Sequence, residues 1–139
     1  SFREISDKNF ILNTEQDYNS FDIKKSIEII YGIRNFVGNA NKYAKKNIYV
    51  SIKSDSETSE IVIEDDGPGF SKDILAKIGE PYIKSLRTND KQKAGLGLGI
   101  FIGKTLLEKN YAKILFRNSE TRGGAEIKIE WTNKNLIKI

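Results

Sequence analysis

Three short segments carry residues whose types and spacing could do chemistry together. They are Asn35-Phe-Val-Gly-Asn39 with Lys42 and Tyr43, then Asp65-Asp-Gly67-Pro-Gly69, then Gly95-Leu-Gly97-Leu-Gly99. In the second, Ile61, Ile63 and Asp65 alternate onto one face of a predicted strand. Two core-facing isoleucines therefore lead to a carboxylate that must be paired or poorly solvated. An ionised carboxylate only accepts hydrogen bonds. It can pair with the 6-amino group of adenine and would repel the 6-oxo group of guanine. Gly67 and Gly69 permit a tight turn and close backbone approach. Taken alone, the same residues also read as an ordinary Asp-Gly-Pro-Gly turn.

Asn35, Asn39 and Lys42 fall at i, i+4 and i+7, one stripe of a predicted helix. Asn is disfavoured inside helices because its amide competes for backbone hydrogen bonds. A neutral amide oxygen can ligate magnesium, which takes oxygen ligands alongside substrate phosphates and waters. Lys42 can reach a phosphate, and Tyr43 can pack on a base or on the core. The stripe alone could equally be a solvated face. In the third segment, closely spaced glycines ahead of a helix let backbone N–H groups turn toward an anion. The spacing is not that of a Walker loop, and no strand immediately precedes it, against a dinucleotide-binding turn.

These segments need elements to hold them. Phe10–Leu12 reads as a short strand. A long helix is predicted from Ser26 as N-cap, with Glu28 in its first turn. Its expected core stripe is Ile30, Ile33, Val37, Ala40 and Ala44. Gly32 and Gly38 weaken that helix, either for close packing or to leave room for a ligand. Residues 48–52 and 60–64 read as strands, and Ser71–Lys77 as a short capped helix. The stretch 79–98 lacks clear periodicity and is expected to be a lid. It carries Lys84, Arg87, Lys91 and Lys93 against Glu80 and Asp90, so it could close over a triphosphate or equally be a soluble loop. A helix is expected over Gly99–Lys109, with Ile102, Leu106 and Leu107 inward. Strands over 112–116 and 125–131 flank a turn at 120–124. Such blocks predict an α+β domain, a two-layer α/β sandwich with helices on one face of a mixed, mainly antiparallel sheet.

The 139 residues suit one domain, residues 1–139, with one core. Hydrophobic residues are 38% and charged residues 30%, an ordinary soluble balance. A chain that starts at Ser1 and holds no Met is expected to be an excised piece of a longer protein. With no Cys there is no thiolate chemistry, and with no His there is no histidine base, ligand or phosphohistidine in this chain. The net charge of +4 is spread over single lysines without a dense basic run, so direct nucleic acid binding is not expected.

Together the three segments resemble the ATP-binding, Bergerat-type domain shared by sensor histidine kinases, type II topoisomerases, the 90-kDa heat-shock chaperones and the MutL repair proteins. Asn39-Ala-Asn-Lys42-Tyr43 is similar to the family's N box, Asp65-Asp-Gly67-Pro-Gly69 to the G1 box, and Gly95–Gly99 to the G2 box that ends the lid. Gly79-Glu-Pro-Tyr82 stands where the kinases carry an aromatic F box, with Gly79 in place of the first aromatic. The resemblance implies ATP and Mg2+ as ligands. It implies adenine on Asp65, Gly67 and Gly69, and metal on Asn39, helped by Asn35. Tyr43 and Tyr82 would line the nucleotide site. Lys42, Lys84, Arg87 and the run Gly95, Leu96, Gly97, Leu98, Gly99 would surround the phosphates.

Position 35 separates the branches. Hydrolysing members generally carry Glu there, and Asn35 cannot act as a base. A neutral imidazole is already a nucleophile, so the resemblance implies a protein histidine kinase rather than an ATP-hydrolysing switch. A non-enzymatic nucleotide sensor is the other alternative, which the sequence does not separate from a kinase because the acceptor histidine is absent from this chain. The kinase's partners would be a histidine-bearing dimerisation domain and a response regulator. It would be a cytoplasmic domain, meeting a membrane only through an inner-membrane-anchored parent. Residues 26–32, 79–82 and 99–107 look similar to redox-responding kinases of the RegB type. Gly124-Ala125 departs from the pattern by lacking the hydroxyl residue often found after the last glycine box.

Overall fold

Alternating apolar residues and two capped helices build most of the architecture. The computed structural model describes residues 8–16, 26–78 and 91–139, without the side chains of 15–16 and 91–97. The elements are β1 (Asn9–Gln16), α1 (Ile27–Tyr43), β2 (Asn47–Ser54), β3 (Thr58–Asp65), α2 (Lys72–Lys77), α3 (Lys91–Lys109), β4 (Lys113–Asn118), β5 (Ala125–Thr132) and α4 (Asn133–Leu136). The strands form one sheet in the order β1-β2-β3-β5-β4. β1 runs parallel to β2, with Phe10 beside Ile48, and the crossover between them is α1. The other neighbours are antiparallel. This is the two-layer α+β sandwich that the pattern predicts.

One face of the sheet presents Ile48, Ile63, Ile127, Ile129 and Trp131 to the core, where Ile29, Phe36, Ala40, Ile100 and Leu107 of the helices meet them. The opposite face is charged. Lys128 lies 3.1 Å from Glu60 and 3.5 Å from Glu130, and Arg122 lies 3.9 Å from the centre of the Tyr49 ring. The period-2 alternation sorts the residues to these two faces.

Ser26 and Ser71 cap α1 and α2 as expected, accepting from the amides of Ile29 and Ile74. Glu28 in the first turn of α1 also pairs with Lys109 at 2.9 Å, tying α1 to the end of α3. The core stripe of α1 is rotated from the expected one. Ile30 is 41% exposed, while Ile29, Gly32, Phe36 and Ala40 are buried, with Ile33 and Val37 partly so. The cause is α3, which crosses at Gly103. A Cβ on Gly103 would stand 2.6 Å from the Phe36 ring and 3.0 Å from the Gly32 carbonyl oxygen. Gly32 therefore serves close packing. The same crossing turns Ile102 outward, at 37% exposure, while Ile100 and Leu107 face the core.

The larger correction concerns α3. It begins at Lys91, so Gly95–Gly99 is helical backbone and not an open glycine loop ahead of a helix at Gly99. A helix satisfies each glycine N–H internally, and Lys91, Gln92, Lys93 and Ala94 are good helix formers leading into it. Residues 79–90, with Tyr82, Lys84 and Arg87, lie outside the described residues.

Candidate functional site

β3 ends by carrying Asp65 into the interior. The residue is 2% exposed. Its Oδ1 accepts from the backbone amides of Gly67, at 2.8 Å, and Ala125, at 3.2 Å. Its Oδ2 has no protein partner among the described residues. Burial pushes the Asp65 carboxyl above the usual aspartate range, against the pull of those two amides. Half of this carboxylate is thus fixed by the protein, and the other half is left as an acceptor. Such an acceptor suits an exocyclic amine.

The surrounding backbone leaves no space for side chains. A Cβ on Gly124 would stand 2.2 Å from Asp65 Oδ1, and one on Gly67 would stand 2.2 Å from the carbonyl oxygen of Tyr43. Gly69 takes a φ of 79°. The next residue, Phe70, is gripped at both peptide polar atoms by one side chain. Asn118 Oδ1 accepts from Phe70 N–H at 2.7 Å, and Asn118 Nδ2 donates to the Phe70 carbonyl at 2.9 Å. The position that lacks a hydroxyl, Ala125, contributes through its backbone amide. Asn118 and the Ala125 amide were not legible in the sequence, since they reach the turn from 48 and 60 residues away.

Because Gly67 backs onto Tyr43, the end of α1 abuts the Asp65 turn. Asn39 lies one helical turn up from Tyr43, and Asn35 one more, a run of about 12 Å at the usual helical rise. Asn35 donates through Nδ2 to the Tyr31 carbonyl at 2.8 Å, while its Oδ1 looks toward Gly99 of α3. The half-buried Asn39 has no side-chain hydrogen bond among the described residues. Two amide oxygens are therefore available on one stripe of α1, and both are hard neutral donors of the kind magnesium accepts. Neutral donors leave charge neutralisation to an anionic ligand such as a phosphate. Lys42 is exposed, with Nζ 5.4 Å from the centre of the Tyr43 ring. The Tyr43 hydroxyl is buried without a partner among the described residues. From Gly95 onward the α3 amides are committed to helical bonds, so presenting them to an anion requires unwinding the first turns.

The chain is thus a two-layer α+β sandwich with a half-satisfied buried carboxylate at one end of an asparagine-bearing helix. Residues 25–135 match the model of the family described as the histidine kinase-, DNA gyrase B-, and HSP90-like ATPases, and the chain belongs to that family. It is 31% identical over 127 residues to the sensor histidine kinase RegB of Cereibacter sphaeroides, covering 81% of this chain and 28% of that protein. It is 29% identical over 91 residues to the sensor histidine kinase CpxA of Escherichia coli K12, covering 66% of this chain and 20% of CpxA. The chain thus spans under a third of the length of these relatives. Among solved structures, the mycobacterial sensor histidine kinase MprB superposes with a TM-score of 0.68 at 21% identity, over 94% of this chain and 87% of that one. A nucleotide-free catalytic domain of the histidine kinase ThkA gives 0.67 at 21% identity, over 94% and 82%. Within the family, the chain corresponds to the catalytic, ATP-binding domain of sensor histidine kinases.

Proposed function

We propose that this domain binds Mg-ATP along α1 and donates the γ-phosphate to a histidine on a separate dimerisation domain, from which a response regulator takes it. The observation that carries the reading is Asp65, buried, fixed at one oxygen and open at the other. Asp65 Oδ2 accepts from the adenine 6-amino group, with Gly67 and Gly69 forming the floor beneath the base and Tyr43 beside it. Asn39, helped by Asn35, would hold magnesium, which would supply charge neutralisation at the phosphates when bound. Lys42 from α1 and Lys84 and Arg87 from the lid expected over residues 79–98 stabilise the phosphate oxygens, and the Gly95–Gly99 backbone reaches them only once the first turns of α3 unwind. A full-length structure of ShkA in complex with AMPPNP shares the fold, with a TM-score of 0.63 over 88% of this chain.

In the transfer, the imidazole lone pair forms the N–P bond as the bond from the γ-phosphorus to the ADP oxygen breaks. Asn35 offers no base, and its amide nitrogen is already engaged by Tyr31. A neutral imidazole needs none, so the protein's work is positioning and charge stabilisation. The redox-responding RegB type is supported by the 31% identity to RegB. The domain faces the cytoplasm in a membrane-anchored parent. Among the described residues no helix is long and apolar enough to cross a membrane. The test is to mix this chain, Mg-ATP and a histidine-bearing dimerisation domain. Acid-labile phosphate on the partner is the expected result. Its absence, with sustained ATP hydrolysis by the chain alone, would replace the kinase reading with a hydrolytic one.

A further inference from the structure

Next to Asp65, a second carboxylate grips a different part of the fold. Asp66 Oδ1 accepts from the amides of Lys45 at 2.8 Å and Lys46 at 3.1 Å, and its Oδ2 accepts from Lys46 at 3.3 Å and Asn47 at 3.0 Å. Three consecutive backbone donors thus converge on one side chain. They belong to the segment that leaves α1 just past its C-cap, Ala44, and enters β2. The contact joins elements about twenty residues apart, and it sits beside the point where Gly67 abuts the Tyr43 carbonyl. Burial pushes the Asp66 carboxyl up, but the amides of Lys46, Lys45 and Asn47 outweigh it and hold the group below the usual aspartate range. The ionised form is therefore the one this geometry favours.

We infer that Asp66 is a positioning residue that sets the span between the adenine end and the metal-phosphate end of the site. It does so by clamping the Asp65–Gly69 turn to the chain that ends α1. The inference rests on the roles given above to Asp65 and Asn39. Asp65 is held by Gly67 and Ala125, without help from Asp66. Asn39 and Lys42 ride on α1, whose exit segment Asp66 holds. Loss of the clamp therefore leaves the adenine contact in place and lets the two ends shift relative to each other. A ligand that touches one end should not sense this, whereas a ligand that spans both should.

The experiment measures adenosine and Mg-ATP binding by calorimetry for the wild-type chain and for Asp65→Asn, Asp66→Ala and Asp66→Asn. Asp66→Ala should keep adenosine affinity within about twofold of wild type and lower the ratio of Mg-ATP to adenosine affinity about tenfold, on the scale of hydrogen bonds to a charged group. Asn keeps one acceptor oxygen but points an N–H₂ at a backbone donor. Asp66→Asn should therefore recover part of the ratio, to roughly threefold below wild type. A purely structural role would weaken both ligands by one common factor, and that outcome overturns the inference. So does an unchanged ratio in both variants, or in Asp66→Asn alone if Asp66→Ala does not fold. Mg-ATP binding by wild type that is weakened about ten- to a hundredfold in Asp65→Asn keeps the underlying site intact in either case. If wild type binds no ATP, or Asp65→Asn binds it unchanged, the site assignment itself fails.

Discussion

Replacing Asp65 by Asn changes one atom and should reverse the hydrogen-bonding sense of the site. The amides of Gly67 and Ala125 both donate to Oδ1, so in the variant the amide oxygen must take that position. The N–H₂ then stands where Oδ2 stood, a donor facing the 6-amino group of adenine. The variant loses a charge-assisted hydrogen bond, about 1.5–3 kcal/mol, which is about ten- to a hundredfold in ATP affinity. ITP, with a 6-oxo group, meets a matching donor, so the preference for ATP over ITP should collapse by more than the ATP loss alone. The same substitution should stabilise the nucleotide-free domain. Burial raises the folded-state pKa of Asp65 above its unfolded value, so the native state holds the proton to higher pH. Wild-type stability from this group therefore falls as pH rises through that window, and the penalty is complete above it. Asn carries no such penalty. Thermal unfolding at pH 7 should show a higher Tm for Asp65→Asn, with the difference shrinking as pH falls to the ordinary aspartate value of about 4. Unchanged ATP affinity by calorimetry would refute the adenine contact. A Tm difference that is independent of pH would refute the burial penalty.

Gly124→Ala places a Cβ 2.2 Å from Asp65 Oδ1 and 2.3 Å from its carbonyl oxygen, so it should lower ATP affinity more than tenfold and cost about 1–3 kcal/mol in urea unfolding. Asn39→Ala should remove most of the gain in ATP affinity on adding magnesium, with little change in metal-free nucleotide binding, as titrations with magnesium or EDTA would read out. Gly103→Ala drives a Cβ into the Phe36 ring at the α1–α3 crossing; a lower urea midpoint, by about 1–3 kcal/mol of stability, is expected.

Much of this protein can be read from local pattern. Ser26 and Ser71 announce their helices because a hydroxyl N-cap meets orphan amides three residues on, a purely local bond. The strands carrying Ile48–Ile52 and Ile61–Asp65 show in period-2 alternation, because one face of the sheet is buried and the other wet. The same alternation, extended by one step, places Asp65 inside. What acts across distance is not legible this way. The rotation of the α1 stripe toward Phe36 depends on where α3 crosses, which Gly103 decides from 67 positions away. The early start of α3 reflects competition between an open glycine turn and a helix that satisfies its own amides, and the two have the same composition.

The sequence alone determined the chemistry available to this domain: an acceptor-only carboxylate at a strand end, two amide oxygens and a lysine on one helical stripe, and no histidine to receive a phosphate. Residue type and local spacing are enough for that. Tertiary structure decided which half of Asp65 is free. That depends on the Ala125 amide and on Gly124 lying flat against the carboxylate, contacts between β3 and β5 that only sheet registry creates. It also decided that Asp66, Asn118 and the end of α1 hold the turn from two sides. Hydrogen-bond direction and close backbone approach belong to the packed chain, and they turn a common dipeptide into a half-satisfied acceptor.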